Sequence, residues 1–406
     1  MSPQEQPELH RRLGLADAVT IGLGSMIGAG IFVALGPAAA AAGSWLLVGL
    51  AAAAVVAYCN ATSSARLAAL YPHSGGAYLY GRERLGDFWG HLAGWSFVVG
   101  KIASCAAMAL TVGVYIWAAN PHAVAVAAVA TLTAVNYRGI EKSAALNRVI
   151  VAIVLAVLAG VVIVGLSSGD VEPGRLNPGS GNGAAGVLQA AALLFFAFAG
   201  YARIATLGEE VRDPARTIPR AIAISFGLAL VIYTLVAVVA VTVLGATALA
   251  HSPAPLVDVV ASLPGFEPVV RVGAAVAALG SLLSLILGVS RTTLAMARDG
   301  HLPSGLAAVH ARFGVPHRAE LAVGAVVAVV AASADVRGVI GFSSFAVLVY
   351  YAVANASAIT LGRRLIPIAG LVGCTLLAAA LPIASIVVGV SVLTLGAGAY
   401  ALHRLC

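Results

Sequence analysis

The sequence predicts an all-α polytopic membrane protein, and two observations support this fold class. Of the 406 residues, 61% are hydrophobic and only 10% are charged, and the mean hydropathy is +0.99. A soluble domain carries about 25% charged residues, so this composition excludes a globular cytosolic enzyme. The apolar residues also run continuously over the roughly 20 positions that a membrane helix needs, whereas a membrane barrel would show alternation.

Hydropathy divides the chain into about twelve transmembrane helices, preceded by a polar tail at residues 1–15. The predicted spans are 16–42, 44–70, 87–118, 122–137, 143–167, 185–210, 219–245, 267–298, 318–335, 338–361, 366–380 and 382–402. Only the LPIA stretch at 381–384 separates the last two spans, and eleven spans would move the C-terminus to the other side. The connector 246–266 is expected to contain a short amphipathic helix at Pro255–Leu263.

The distribution of Lys and Arg predicts that both termini lie in the cytoplasm. With that orientation, only Arg175, Arg271 and Arg337 fall in outer connectors, and Lys101 and Arg203 fall inside spans. The remaining 18 of the 23 Lys and Arg residues flank the inner ends of the spans. The predicted location is therefore the plasma membrane, with the lipid bilayer as solvent. The net charge of +7 resides in short connectors and does not indicate nucleic-acid binding.

The first span contains GLGSMIGAGIFV at residues 22–33, which is unusually rich in glycine for a membrane helix. Glycine weakens a helix by about 1 kcal/mol relative to alanine. Unwinding at Gly28-Ala29-Gly30 would expose N–H groups suited to a carboxylate, and the freed carbonyls would suit an ammonium group. Close helix packing explains the pattern equally well, because Gly24 and Gly28 have the spacing of a small-xxx-small motif.

The sixth span carries a second glycine, Gly200, followed by a polar half that contains Arg203, Glu209 and Glu210. The first and sixth spans each begin a block of five. Interrupted helices at equivalent positions of two halves indicate a transporter site. The pattern therefore predicts a core at residues 16–361 built from two repeats of five spans, at about 16–167 and 185–361, and it leaves two additional helices in 362–406.

Four stretches of the chain resemble the amino acid–polyamine–organocation (APC) superfamily of amino acid permeases. They are GSMIGAGIFV at 24–33, YPHSGGAYLYGRERLG at 71–86, FFAFAGYARIATLGEEVRDPARTIPRAI at 195–222 and RTTLAMARDGHLP at 291–303. The resemblance implies a five-plus-five inverted-repeat (LeuT-like) core with discontinuous helices 1 and 6, followed by two extra helices. It also implies that the substrate carboxylate binds the N–H groups of Gly28, Ala29 and Gly30, and that the amino group binds the carbonyls of Met26, Phe196 and Ala199.

The resemblance further places Phe196 and Phe198 at an aromatic lid over the substrate, although packing explains Phe198 equally well. The implied substrate-binding set is Met26, Ile27, Gly28, Ala29, Gly30, Phe196, Phe198, Ala199 and Gly200. Members of the superfamily often have an acidic residue two positions after the glycine of the sixth span, where this chain has Ala202. That departure argues against a pocket specific for cationic substrates.

Lys101 is the most informative ionisable residue of the predicted spans. Sodium-independent relatives carry a lysine in the fifth span at a position that is Val154 here. Lys101 lies about 20 Å into the third span, too deep to reach either edge easily, and a membrane-buried lysine indicates a function. We therefore interpret Lys101 as a coupling residue that replaces the missing lysine; a lysine paired with a carboxylate is the structural alternative.

Arg203, Glu209 and Glu210 are candidate coupling or gating residues. Arg203 is placed to bind an anionic substrate group or to pair with either glutamate, and a gate pair and a static pair are equally consistent with the sequence. No pattern of His, Cys, Asp or Glu indicates a metal site, and the four cysteines are scattered, so no cofactor is expected.

The sequence therefore predicts a secondary transporter for an amino acid, coupled to protons or to exchange, and it predicts no enzyme activity. A neutral amino acid is the first choice of substrate, and a cationic amino acid or polyamine exchanger of the same fold is the alternative. An intramembrane enzyme would need a nucleophile or metal set that the sparse intramembrane charges do not provide. The sequence leaves open whether the protein is a monomer or a homodimer.

Overall fold

A computed structural model describes residues 13–71, 75–139, 144–177, 183–205, 207 and 210–405. In these residues the chain forms helices that match the twelve predicted spans. The first span is divided into α1a (Leu15–Met26) and α1b (Ala29–Val33), which continues as Leu35–Ala42. The others are α2 (Leu46–Leu70), α3 (Asp87–Ile116), α4 (Pro121–Tyr137), α5 (Ala144–Ser167), α6a (Gly183–Phe198), α6b (Ala202–Ala205), α7 (Pro214–His251), α8 (Glu267–Arg298), α9 (His317–Ser333), α10 (Val336–Ile359), α11 (Leu365–Ala380) and α12 (Ile383–Leu405).

The apolar composition of these helices confirms the predicted fold class. Nine helical segments in the described part of the chain are long and apolar enough to cross a membrane. The helices α4, α9 and α11 are shorter, with 17, 17 and 16 residues. The last two spans are separate helices, because Leu381 is extended at the end of α11 and Pro382 precedes the start of α12.

Helices 1 and 6 are both discontinuous, as the sequence predicts. In helix 1, Ile27 and Gly28 leave the helical conformation, and Gly28 has φ −72° and ψ −134°. In helix 6, the α-helix ends at Phe198, a single 3₁₀ turn follows at Ala199–Tyr201, and a four-residue helix follows that turn. A tightened turn inside a membrane helix is tolerated where the backbone is buried or lines a cavity.

The structure corrects the predicted course of helix 6 and of two connectors. The sixth span does not continue to 210: α6b ends at Ala205, and Glu210 lies in a turn. The chain there pairs with the start of the protein, through Leu13 N to Glu210 O at 3.0 Å and Arg212 N to Leu13 O at 2.9 Å. Glu209 lies outside the described residues. The amphipathic helix in connector 246–266 is shorter than expected, spanning Pro255–Val259.

A short helix, Ala77–Leu85, joins α2 to α3 and was not predicted. Tyr78 and Tyr80 belong to it and are buried. The helix lies on the side of the membrane from which α1a starts, which we call the N-terminal face. The boundaries of the two inverted repeats stay a prediction.

Candidate functional site

The two discontinuities face each other because glycines let the backbones approach closely. A Cβ atom added at Gly30 would lie 2.6 Å from the Cα of Ala197 in α6a. A Cβ atom at Gly200 would overlap the carbonyl of Ser25 in α1a. Gly30 and Gly200 therefore lie beside the breaks and permit close packing of helices 1 and 6, whereas Gly24 and Gly28 pack against α5 and α8.

The amides and carbonyls released by the breaks have different surroundings. Gly28 to Gly30 form the start of α1b, where the first N–H groups of a helix have no partner within that helix. The carbonyls, in contrast, accept hydrogen bonds from side chains. Ser281 of α8 donates to Gly24 O at 2.9 Å. The Tyr233 hydroxyl of α7 lies 2.6 Å from Met26 O and 2.9 Å from Ala197 O, and shares its single proton between the two broken helices.

A cavity of about 140 Å³ extends from these breaks to the N-terminal face. Its inner end is formed by residues of both breaks, which are Ser25, Met26, Ala29, Gly30, Phe196, Ala199 and Gly200. Toward the N-terminal face it is bounded by α3, α8 and the short helix that contains Tyr78. On the opposite side, the Tyr115 hydroxyl donates to Phe32 O at 2.9 Å, and both rings are fully buried. In the described part of the chain, the cavity therefore extends from the breaks toward the N-terminal face, and the Tyr115–Phe32 contact lies on the opposite side of the breaks.

Three cationic side chains and one carboxylate line the cavity. Lys101 is 5% exposed and donates to Ala199 O at 3.2 Å. Arg203 of α6b also lines the cavity. Nearer the mouth, Arg291 lies 4.0 Å from Glu210, and both side chains are about a third exposed or more. The predicted coupling and gating residues Lys101, Arg203 and Glu210 are thus brought to one cavity.

Three predicted binding residues have side chains or positions away from this cavity. Phe198 is fully buried and packs against Phe226 and Tyr233, with ring centroids 5.6 and 5.1 Å apart, so the structure does not place it as a lid. Gly28 packs against Ser281 of α8. Ile27 borders a separate void of about 10 Å³, which it shares with Val154. Phe196, in contrast, lines the main cavity.

Other residues at the site were not predicted from the sequence. Tyr233, Ser281, Ser284, Ser104, Phe97 and Tyr78 are brought there by the fold. A signal was available in the sequence for three of them: Tyr233 lies in the middle of an otherwise apolar span, and a buried tyrosine hydroxyl usually has a partner. Ser281 and Ser284 have the spacing of one helix face.

A polar network borders the cavity near the N-terminal face. The Tyr78 hydroxyl donates to Asp299 at 2.6 Å and lies 3.0 Å from His301 Nδ1, and Arg82 donates to Asp299 at 2.5 Å. Burial raises the pKa of the Tyr78 phenol, and the hydrogen bond to Asp299 raises it further. Burial lowers the pKa of His301, and the neighbouring His91 and Arg82 act in the same direction. At neutral pH the Tyr78 phenol and the His301 ring are therefore both uncharged.

The family of the chain follows from comparison with known proteins. The model of the family described as amino acid permease matches residues 17–397, which includes both discontinuous helices and every residue of the cavity. The chain belongs to the amino acid permease family. It is thus a multi-pass membrane protein of a transporter family, which agrees with the predicted superfamily and with the prediction that it is not an enzyme.

Relatives of this permease carry several substrate names. An uncharacterised transporter of Mycobacterium tuberculosis is 67% identical, over 100% of this chain and 94% of the relative. The branched-chain amino acid permease of Bacillus subtilis is 28% identical, over 77% of this chain and 72% of the relative. The chloroplastic cationic amino acid transporter 7 of Arabidopsis thaliana is 30% identical, over 86% of this chain and 65% of the relative.

The Arg291–Glu210 pair at the cavity mouth is expected to contribute little to stability. Partly exposed ion pairs contribute less than about 1 kcal/mol, and at 4.0 Å this one is at the limit of an ion pair. A Glu210→Gln variant should therefore unfold at a temperature close to that of the wild type in a thermal melt. Lys101→Gln, which changes a buried charge, offers the comparison. A large loss of stability in Glu210→Gln would show that the pair is a structural contact.

Proposed function

We propose that this permease carries a neutral amino acid across the plasma membrane by alternating access. The observation that carries the proposal is the cavity that both helix breaks border, with backbone amides and carbonyls close together at mid-depth. Ligands of secondary transporters bind at such paired interruptions, where a half-helix supplies a dipole and free peptide groups. The cavity volume of about 140 Å³ suits a small substrate.

In the proposed binding mode, backbone groups of the permease bind the carboxylate and ammonium groups that all amino acids share. The amides of Ala29 and Gly30, which line the cavity at the start of a helix segment, would bind the carboxylate. The carbonyls of Met26, Phe196 and Ala199 would bind the ammonium group. Gly200 supports this arrangement because it lets α1a pass close to helix 6. Phe196 would cover the bound substrate from the cavity side.

The side chain of the substrate is proposed to be uncharged and apolar. Phe97, Met108 and Leu285 provide apolar contacts along the cavity. Among the described residues that line the cavity, the cations Lys101, Arg203 and Arg291 outnumber the carboxylate of Glu210, and their field would repel a cationic side chain. The name of the branched-chain permease of B. subtilis agrees with this class.

The direction and coupling of transport form the second part of the proposal. With both termini in the cytoplasm, as the Lys and Arg distribution predicts, the observed cavity opens inward and the Tyr115–Phe32 contact closes the outer side. Rocking of α1a and helix 6 against their neighbours would open the outer side. Lys101 would couple the cycle to protons or to a counter-substrate, and Arg203 and Glu210 would act near the inner gate.

Uptake of radiolabelled amino acids into proteoliposomes tests this proposal. Neutral amino acids such as leucine, valine and isoleucine should be taken up saturably, and protein-free vesicles serve as the control. A pH gradient and a sodium gradient are imposed separately to identify the coupling. If no amino acid of the panel is transported, the proposed function is wrong.

A cationic amino acid exchanger is the second candidate, because the A. thaliana relative carries that name. The same panel separates the two candidates, since arginine and lysine would then compete with leucine uptake. We expect a hundredfold excess of unlabelled arginine to leave leucine uptake nearly unchanged. Strong inhibition would favour the cationic substrate and would contradict the repulsion argued from Lys101, Arg203 and Arg291.

A further inference from the structure

Lys101 occupies the position where the proposed function puts the ammonium group of the substrate. Its Nζ atom donates to Ala199 O at 3.2 Å, and its side chain is buried at the end of the cavity that the two breaks form. Among the described residues, no carboxylate lies within ion-pair distance of Lys101. The lysine is thus a buried ammonium group whose hydrogen-bond acceptor is a carbonyl of the substrate site.

Among the described groups around this carbonyl, Lys101 is the one that carries a positive charge. The Tyr351 hydroxyl of α10 lies 3.4 Å from Ala199 O, and the Tyr201 ring stacks on Tyr351 with centroids 5.1 Å apart. Cys105 lies one helical turn from Lys101 on α3. The remaining charged groups of the cavity are on helix 6, the turn after it and α8, and they are Arg203, Glu210 and Arg291.

The ammonium groups of Lys101 and of the substrate cannot both bind the Ala199 carbonyl without strong electrostatic repulsion. Sharing one acceptor would bring the two charges within about 4–5 Å of each other. At an effective dielectric constant of about 20, repulsion between unit charges 4 Å apart weakens binding about a thousandfold. A zwitterion can therefore bind tightly only after Lys101 has lost its proton. The cavity reaches the N-terminal face, so water there can accept that proton.

We propose that the proton of Lys101 and the ammonium group of the substrate occupy the Ala199 carbonyl in turn, so that the permease exchanges one proton for one amino acid. This inference rests on the proposed function and specifies its coupling. When the substrate binds, the Nζ–H bond of Lys101 breaks, the proton leaves to water, and the neutral amine remains beside the site. On the other side of the membrane the substrate dissociates and Lys101 takes up a proton.

Two properties of the wild-type protein follow from this exchange. Each bound amino acid releases about one proton, and the affinity for the substrate rises about tenfold per pH unit as long as Lys101 is protonated in the empty protein. In proteoliposomes, substrate and protons move in opposite directions. Vesicles with an acidic interior should therefore accumulate leucine, whereas a proton symporter would accumulate it in vesicles with an alkaline interior.

The test titrates the purified full-length protein with L-leucine in weak buffer that contains a pH indicator dye. The wild type should release about one proton per leucine bound. Lys101→Met should bind leucine with a pH-independent affinity and release no proton. Lys101→Arg keeps a permanent charge and should bind leucine at least about a hundredfold more weakly, because an arginine does not lose its proton. A melting curve of each variant verifies folding. Proton release and the pH dependence of leucine binding are measured on the wild type, so these two readouts do not depend on whether a variant folds.

Several results would overturn the inference. Leucine binding to the wild type with no proton release, or with proton uptake, would contradict the competition directly. Tight binding to Lys101→Arg together with loss of binding in Lys101→Met would instead assign Lys101 to the carboxylate of the substrate. Absence of leucine binding at any pH would count against the proposed neutral substrate, and the inference would fall with it.

Discussion

A Gly30→Leu variant is expected to lose amino acid transport, with an initial uptake rate at least about a hundredfold below that of the wild type. The reason is the position of Gly30 between the two broken helices. A Cβ atom there would lie 2.6 Å from the Cα of Ala197, which is backbone and cannot rotate away. A leucine must push α1b from helix 6, and overpacking of this kind costs about 1–3 kcal/mol or more. The peptide groups of the two breaks would then no longer face one substrate.

Gly227→Leu is the matched control for this variant. Gly227 is exposed on α7, and no atom lies within 4 Å of an added Cβ there. The control should insert, fold and transport like the wild type. Uptake into proteoliposomes and a thermal melt are measured for both variants, so that loss of the site is separated from loss of the fold. Unchanged uptake by a well-folded Gly30→Leu protein would show that the breaks are not the substrate site.

Tyr233→Phe should destabilise the protein by about 1–3 kcal/mol, the cost of leaving a buried acceptor without its hydrogen bond. The hydroxyl of Tyr233 lies within 2.6 Å of Met26 O and 2.9 Å of Ala197 O, so one atom connects both discontinuities. The variant keeps the ring and its packing against Phe198. The effect should therefore appear in the free energy of unfolding and in weaker leucine binding, because Met26 belongs to the proposed ammonium site.

Tyr58→Phe provides the comparison for that measurement. Tyr58 is 54% exposed, and loss of its hydroxyl should leave the melting temperature unchanged. Both variants are compared by thermal melting in the same detergent and by leucine binding. Equal melting temperatures for Tyr233→Phe and Tyr58→Phe would show that the Tyr233 hydroxyl does not stabilise the breaks.

Hydropathy was sufficient for the architecture because each helix must be apolar over its own length. The twelve spans, the interruption at Gly28 and the interruption at Gly200 are local features, and the structure has all of them. The separate ends of α11 and α12 also follow from a local signal, the proline at 382. Local composition misplaced the end of helix 6, because the turn at Glu210 is held by Leu13, which is nearly 200 residues away.

The sequence predicted the backbone groups of the candidate site but did not predict most of its side chains. The positions of the glycines indicate which residues unwind. The side chains that donate hydrogen bonds to the released carbonyls are decided by helix packing. Tyr233 and Ser281 come from α7 and α8, and no spacing within either helix shows that they reach helix 1. Phe198 illustrates the opposite case: its sequence position next to the break suggested a lid, and tertiary packing directs it into the core.

The charge of Lys101 was recognisable, but its partner was not. A lysine in the middle of an apolar span indicates function whatever it contacts. The acceptor at Ala199 became visible only when α3 was placed beside the 3₁₀ turn of helix 6. Because of that contact, we infer that Lys101 competes with the substrate for the Ala199 carbonyl.

An electron cryo-microscopy map of the permease with bound L-leucine is the most direct test of the central claim. We predict leucine density beside Ala29, Gly30 and Ala199, with helix 1 interrupted after Met26 and helix 6 tightened at Ala199–Tyr201. A map in which both helices run unbroken, or in which leucine binds away from both interruptions, would contradict the account.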